Sequence, residues 1–349
     1  MTLNKFDYAH KDVYLLLGPQ EVGKTCFLTG LYYTFRSTLN GFGLSCVNEE
    51  QRAELDGICK RLESGEFPTG TSTSSKYQFK LRFAHTERFG FEWYDYRGGL
   101  LKEYGLKNSE EYEELTRVIQ NTTCIILCID GTWLSKNKNE SVKRIQDESY
   151  VINEFIHSYV DSNKKLAPIC IVITKYDECE KGYEAVYYEA IRESFAFFEN
   201  RQTPIFICPV CIGKKDVNTD KFRFDPTDQD IYRPLFYALW CGYHYRICGM
   251  EKKLTEDEKR VQIVLQNLQD KIKEIEGKVV VFNRQKRMNE LKNDIDIISA
   301  NINHVKQEIA SLKQEQSELL RCLCSAENIY FGDKKTTWEE VSEKWKFFQ

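Results

Sequence analysis

Residues 18–25 read Gly-Pro-Gln-Glu-Val-Gly-Lys-Thr and carry the densest chemistry in this 349-residue chain. The two glycines, Gly18 and Gly23, let the backbone curl until successive N–H groups face one point. A helix starting at Lys24 aims the positive end of its dipole at that point. Lys24 adds a point charge, and the Thr25 hydroxyl adds a hard oxygen ligand. These groups suit a polyphosphate chain with its Mg²⁺. The binding segment is then Gly18, Gln20, Glu21, Val22, Gly23, Lys24, Thr25 and Cys26, with Lys24 also stabilising charge during phosphoryl transfer. A glycine-rich turn before a helix also arises by chance. The strand-like run 13–17 before the loop and the helical pattern after it favour the phosphate-binding reading.

Two further clusters complete such a site. The apolar run 89–94 ends in Asp95-Tyr-Arg-Gly98. Asp95 at a strand tip supplies the second Mg²⁺ determinant, and Gly98 lets a backbone N–H approach a γ-phosphate. An ordinary strand-ending turn is the competing reading. Arg97 is a candidate for stabilising developing phosphate charge, with an ordinary surface arginine as the competing reading. The polar stretch 67–75 offers Thr71, and after it Thr69, as a mobile ligand to Mg²⁺ and the γ-phosphate; a solvated loop with no ligand role is the competing reading. Finally, the run 169–173 leads into Thr174-Lys-Tyr-Asp177.

In this order, each motif at the end of a strand, the chain resembles the G domain of TRAFAC-class GTPases. It is most similar to the bacterial double-GTPase group of conflict and defence loci, although only one G domain is present. The resemblance covers about residues 10–248. It implies that Lys175 lies against the base and that Asp177 accepts hydrogen bonds from guanine N1–H and N2–H₂. Adenine, which lacks the 2-amino group, pairs badly with a carboxylate. The sequence departs from the family pattern at several points. Thr174 stands where Asn is commoner, which weakens a loop-bracing hydrogen bond. Gly99 stands where many small GTPases carry a water-orienting Gln, and Gln20 and Glu21 put bulk into the phosphate loop. Slow GTP hydrolysis by a nucleotide-dependent switch or assembly factor follows. An ATPase or other P-loop enzyme, or a nucleotide-binding scaffold with little turnover, competes if residues 174–177 form only an exposed turn.

The elements that must position these groups are legible as alternating strand-like and helical runs from residue 13 to about 248. They predict an α/β P-loop domain over 1–249: a mostly parallel sheet with one antiparallel edge strand and helices on both faces. Runs 77–83 and 89–94, joined by 84–88, predict the antiparallel hairpin. After residue 250 the composition changes. Apolar residues recur by threes and fours from Val261 to Phe282, and in a second register from Met288 to Leu323. Such seams predict coiled-coil helices over 250–325, broken across 280–287. The second helix alone would be roughly 55 Å long. Its pairing, within the chain or between chains, is not fixed by the pattern. Residues 326–349 predict a turn at Gly332 and a short helix capped by Thr337 and Glu340. Trp338, Val341, Trp345 and Phe348 line one face of that helix, as a segment that docks on a partner surface or on the domain itself.

A formal charge of −4 gives no field that favours nucleic acid or a membrane surface. The first eleven residues have no signal-peptide pattern, and no apolar run is long enough to span a bilayer. A cytoplasmic protein is expected. It would bind GTP and GDP with Mg²⁺ and meet a protein partner or a second copy through the coiled coil. Thirteen cysteines form no secreted framework. Cys208 and Cys211 have CxxC spacing but no second pair, so buried thiols are expected rather than a metal site.

Overall fold

The computed structural model describes residues 12–68, 74–97, 110–163, 166–200, 202–216, 221–224, 230–277 and 284–345. They fall into two compact units, residues 12–242 with 319–345 and residues 243–318.

The first unit is built on a nine-stranded sheet. In chain order its strands are β1 (Asp12–Leu17), β2 (Phe42–Cys46), β3 (Ser75–Phe83), β4 (Thr86–Asp95), β5 (Cys124–Asp130), β6 (Ile169–Thr174) and β7 (Pro204–Pro209). A separate pair, β8 (Gly213–Lys215) and β9 (Phe222–Phe224), precedes β10 (Ile329–Phe331) and β11 (Lys334–Lys335). The order across the sheet is β11-β10-β7-β6-β5-β1-β4-β3-β2. Strands β4, β1, β5, β6 and β7 run parallel. β1, β5 and β6 are buried along their whole length, which is why they read as unbroken apolar runs. β3 alternates instead, burying Tyr77, Phe79 and Leu81 between Lys76, Gln78 and Lys80.

The connecting helices are α1 (Lys24–Phe35), α2 (Glu49–Glu63), α3 (Glu110–Gln120), α4 (Lys138–Asn163) and α5 (Glu184–Ser194). They lie on both sides of the sheet, and the expected P-loop α/β class is borne out. α2 shows how local chemistry sets such an element. The Asn48 side chain accepts from Glu50 N at 2.7 Å and caps the helix. Leu55, Ile58, Cys59 and Leu62 fall on its buried face.

The sheet extends further than the sequence patterns predict. β2 pairs with β3 in an antiparallel register, Leu44 opposite Leu81. At the opposite edge β10 pairs antiparallel with β7, Tyr330 opposite Ile205. The β3–β4 turn is also tighter than 84–88: Ala84 and His85 alone make it, both at positive φ (47° and 66°).

The C-terminal segment forms part of this unit. β10 and β11 extend the sheet, and α8 (Trp338–Trp345) buries Trp338, Val341 and Trp345. Trp338 packs edge-on to Phe206 at 5.2 Å, and its indole N–H donates to Ala326 O at 2.8 Å. The expected capping box is half formed. Thr337 Oγ1 accepts from Glu340 N at 3.2 Å, but the Glu340 carboxylate takes the Thr336 hydroxyl and Lys344 instead of reaching back to Thr337.

The second unit contains the remainder of two long helices, α6 (Arg233–Gly277) and α7 (Arg284–Leu323). Tyr243 OH donates to Glu315 Oε2 at 2.6 Å; Lys313 pairs with Glu251 at 2.5 Å and Lys306 with Glu258 at 2.8 Å. Partners on α7 step backward as α6 advances, so the two helices are antiparallel and pair within one chain. Val305 and Ile309 of the predicted seam are buried, whereas Ile263, Val264 and Ile297 are exposed. No helix among the described residues is long and apolar enough to cross a membrane.

Candidate nucleotide site

Among the described residues, the segments Gly18–Cys26, Asp95 and Thr174–Asp177 singled out by the sequence lie at or just after the C-terminal ends of parallel strands β1, β4 and β6. Chain order reverses direction around β1, with β4 on one side and β5 on the other, and ligands of open α/β sheets bind at such a switch point.

The loop after β1 is curled as its glycines demand. Gly23 has φ 88° at the start of α1, and Glu21 also lies at positive φ, 64°. At Gly18 close approach is the reason: a Cβ there would lie 2.8 Å from Cys128 O on β5. Lys24 is buried, and its Nζ donates to Gly18 O at 3.0 Å and Pro19 O at 2.9 Å. Burial lowers the Lys24 pKa, while Asp95 opposes the shift. The ammonium is thereby held within the loop. Gln20 and Glu21 are exposed, Val22 is buried, and Thr25 and Cys26 are half-buried.

Register brings Asp95 to the same place, because Leu16 of β1 lies opposite Asp95 of β4. Desolvation pushes its carboxyl up to about 6, against the pull of Lys24 and of a hydrogen bond from Thr25. Asp95 Oδ1 is buried without a hydrogen-bond partner. An orphaned carboxylate oxygen beside a threonine hydroxyl is a hard-oxygen pair that fits Mg²⁺, a cation that takes few protein ligands and keeps phosphate and water in its other positions. Thr25 and Asp95 would hold the ion, which would neutralise phosphate charge during transfer. Thr69, Thr71, Gly98 and Gly99 lie outside the described residues. Arg97 is engaged elsewhere: its Nε donates to Glu111 of α3 at 3.0 Å.

β5 and β6 bring the third motif against the first, with Asp130 opposite Thr174. Thr174 Oγ1 lies 2.5 Å from Val22 O and 3.0 Å from Ile129 O, so its hydroxyl braces the phosphate loop in spite of the missing Asn. A single O–H serves one of these acceptors at a time. Lys175, at φ 50°, sends its Nζ to Glu21 O at 3.2 Å and to Asp130 Oδ2 at 2.5 Å. Asp130 is in turn held by the backbone N–H and hydroxyl of Thr132. Asp177 is exposed. It lines a cavity of about 310 Å³ together with Gly23, Cys26, Lys175 and the segment Val210–Gly213. Phe67 and Phe222, edge-to-face at 5.6 Å, also line this cavity.

The sequence patterns assign no site role to Asp130, Phe67 or Phe222. An acid ending the apolar run 124–129 just before Gly131 was a readable signal for Asp130. Nothing local marks the two phenylalanines, which lie far apart in the chain. Cys208 and Cys211 are free thiols. Burial, with help from Asp177, pushes Cys211 up to about 12, and its Sγ lies 3.0 Å from Gly213 O. No cluster of three or more metal-ligating side chains occurs among the described residues.

A curled, amide-rich loop with a buried lysine, and a second acid at the neighbouring strand tip, define a P-loop nucleotide-binding domain. Residues 15–157 match the family model described as Double-GTPase 1. This bears out the resemblance read from the motifs and supports a GTP-binding P-loop protein with GTPase activity in the general sense. The matched stretch ends within α4, so Thr174, Lys175 and Asp177 rest on their own geometry. Comparison with curated proteins gave no match.

Proposed function

We propose that the chain binds GTP and GDP with Mg²⁺ and hydrolyses GTP slowly. It acts in the cytoplasm as a nucleotide-dependent switch or assembly factor within a bacterial defence or conflict system. The phosphates lie on residues 18–26 and the guanine in the 310 Å³ cavity against Lys175, with Asp177 pairing its N1–H and N2–H₂. Thr25, Asp95 and Thr71 serve the metal, and Gly98 meets the γ-phosphate. The observation that carries this reading is Lys175, whose ammonium contacts the phosphate loop at Glu21 O and which lines the 310 Å³ cavity beside Asp177. Slow turnover is supported by Gly99 in place of a water-orienting glutamine and by the Glu111 contact of Arg97.

The domain 1–249 reads the nucleotide, residues 250–325 carry the signal, and residues 326–349 dock the C-terminus. With the seam closed inside the chain, a protein partner or second copy would meet outward residues such as Ile263 and Ile297. The defence setting follows from the family resemblance alone.

Calorimetric titration with GTP, GDP and ATP tests the assignment. Lys24→Ala should weaken every nucleotide by about ten- to a hundredfold, the loss expected for a charged hydrogen-bond donor. Asp177→Ala should remove most of the preference for GTP over ATP while leaving phosphate affinity in place. Undiminished guanine selectivity in Asp177→Ala would overturn the base assignment.

A further inference from the structure

A second cavity, about 620 Å³, opens where α5, the end of β7, the first residue of α6 and the β10–β11 segment meet. No sequence motif points to it, yet its volume is that of a small-molecule site. Arg192, Arg233 and Lys335 line it, with Asn328 and the apolar surfaces of Tyr188 and Phe206. Each arginine is anchored at its tip. Arg192 Nη2 donates to Asp333 O at 2.7 Å. Arg233 pairs with Asp230 at 2.6 Å and donates to Ser325 Oγ at 3.0 Å.

Both guanidiniums nevertheless keep a buried Nε with no hydrogen-bond partner, and among the described residues no other arginine nitrogen is in this condition. A buried donor without an acceptor costs about 1–3 kcal/mol. Neither Nε opens to the cavity, so an occupant meets the charge of the two guanidiniums rather than these donors. Two carboxylates share the lining. Glu189 is held by Lys138 at 3.3 Å, and Glu327 is exposed. A carboxylate ligand has two oxygens, whereas a phosphate has enough to reach two guanidiniums and an ammonium together.

We infer that this cavity binds a small phosphorylated molecule of up to mononucleotide size. The phosphate lies among Arg192, Arg233 and Lys335, and the remainder lies on Tyr188 and Phe206. Pro209 lines this cavity, and the chain continues directly into Val210–Gly213, which lines the first one. An occupant here therefore biases nucleotide affinity there, and the converse holds by linkage. That coupling rests on the base-site reading above; the second site does not.

The test titrates inorganic phosphate and AMP, separately, into the full chain and into Lys24→Ala, Arg192→Gln and Lys335→Gln. Binding should survive Lys24→Ala, fall about tenfold or more in Arg192→Gln, and fall about threefold in Lys335→Gln. Lys335 is exposed, so that variant stays informative should Arg192→Gln fold poorly. The site is overturned if neither probe binds Lys24→Ala at millimolar concentration, or if both Gln variants bind as the parent does. The coupling alone is overturned if a probe bound to the parent leaves GTP affinity unchanged.

Discussion

Because desolvation raises the Asp95 pKa from 3.8 to about 6, the folded protein keeps a proton there that the unfolded chain has already lost. More protons bound in the native state means that stability falls as pH rises through that window. The fall amounts to something on the order of 2 kcal/mol between about pH 4 and pH 6. Denaturant melts across this range should show it, and Asp95→Asn should flatten the contribution. On the metal role proposed for Asp95, magnesium-dependent nucleotide affinity should run the other way, weakening below about pH 6 as the carboxyl protonates, which titration with GTP at pH 5 and pH 7 checks. The Lys175–Asp130 contact is a second residue-scale case. A double-mutant cycle of Lys175→Met and Asp130→Asn, read by GTP titration, should give a coupling of about 1 kcal/mol. Additive losses would mean that Asp130 does not hold Lys175 for the ligand. Much of this site was legible because Gly18–Thr25, Asp95 and Thr174–Asp177 each follow an apolar run that ends abruptly. Asp130 ends an apolar run in the same way, but its partner Lys175 is 45 residues away and the pairing appears only when β5 and β6 stand side by side.

At the scale of elements, the β8–β9 pair shows how little room the wall of the 310 Å³ cavity has. A Cβ on Gly213 would lie 2.2 Å from Arg223 O, a backbone atom that cannot simply rotate away. Gly213→Ala should therefore cost about 1–3 kcal/mol, visible as a lowered melting temperature, and should weaken GTP binding through the displaced Val210–Cys211 wall. In the helical unit, Tyr243→Phe takes one donor from the buried Glu315 carboxylate. Chemical denaturation should register about 1–3 kcal/mol for that loss. The exposed Lys306–Glu258 pair should be worth under about 1 kcal/mol. The strands legible in advance were those buried on both faces or strictly alternating. β2 and β10 are short, and partners distant in the chain impose their pairing, so composition could not announce them. The heptad seam told of two helices; of the break expected at 280–287, residues 284–287 belong to α7 and the rest lies outside the described residues, and the direction of pairing had to come from the cross-helix contacts.

Across the whole molecule, the chain leaves the sheet after β7 and comes back to it with β10. Since α6 and α7 pair antiparallel, with Glu251 against Lys313, the excursion starts and finishes at neighbouring points. Replacing residues 252–312 by a short flexible linker should accordingly leave GTP affinity within about twofold of the parent, as measured by titration. Removing everything after residue 242 is a different matter. Phe206 and Trp240 then lose Trp338, and β7 loses β10 and becomes an open edge, paired only with β6; light scattering should detect aggregation. The same arrangement has a consequence during synthesis on the ribosome. β7 emerges long before Ile329–Phe331 has been translated, and through that interval one flank of the nascent sheet stays unzipped. Neighbouring nascent chains on one messenger could fill it with each other's tails, so the time taken to translate the hairpin sets how long strand exchange competes with correct closure.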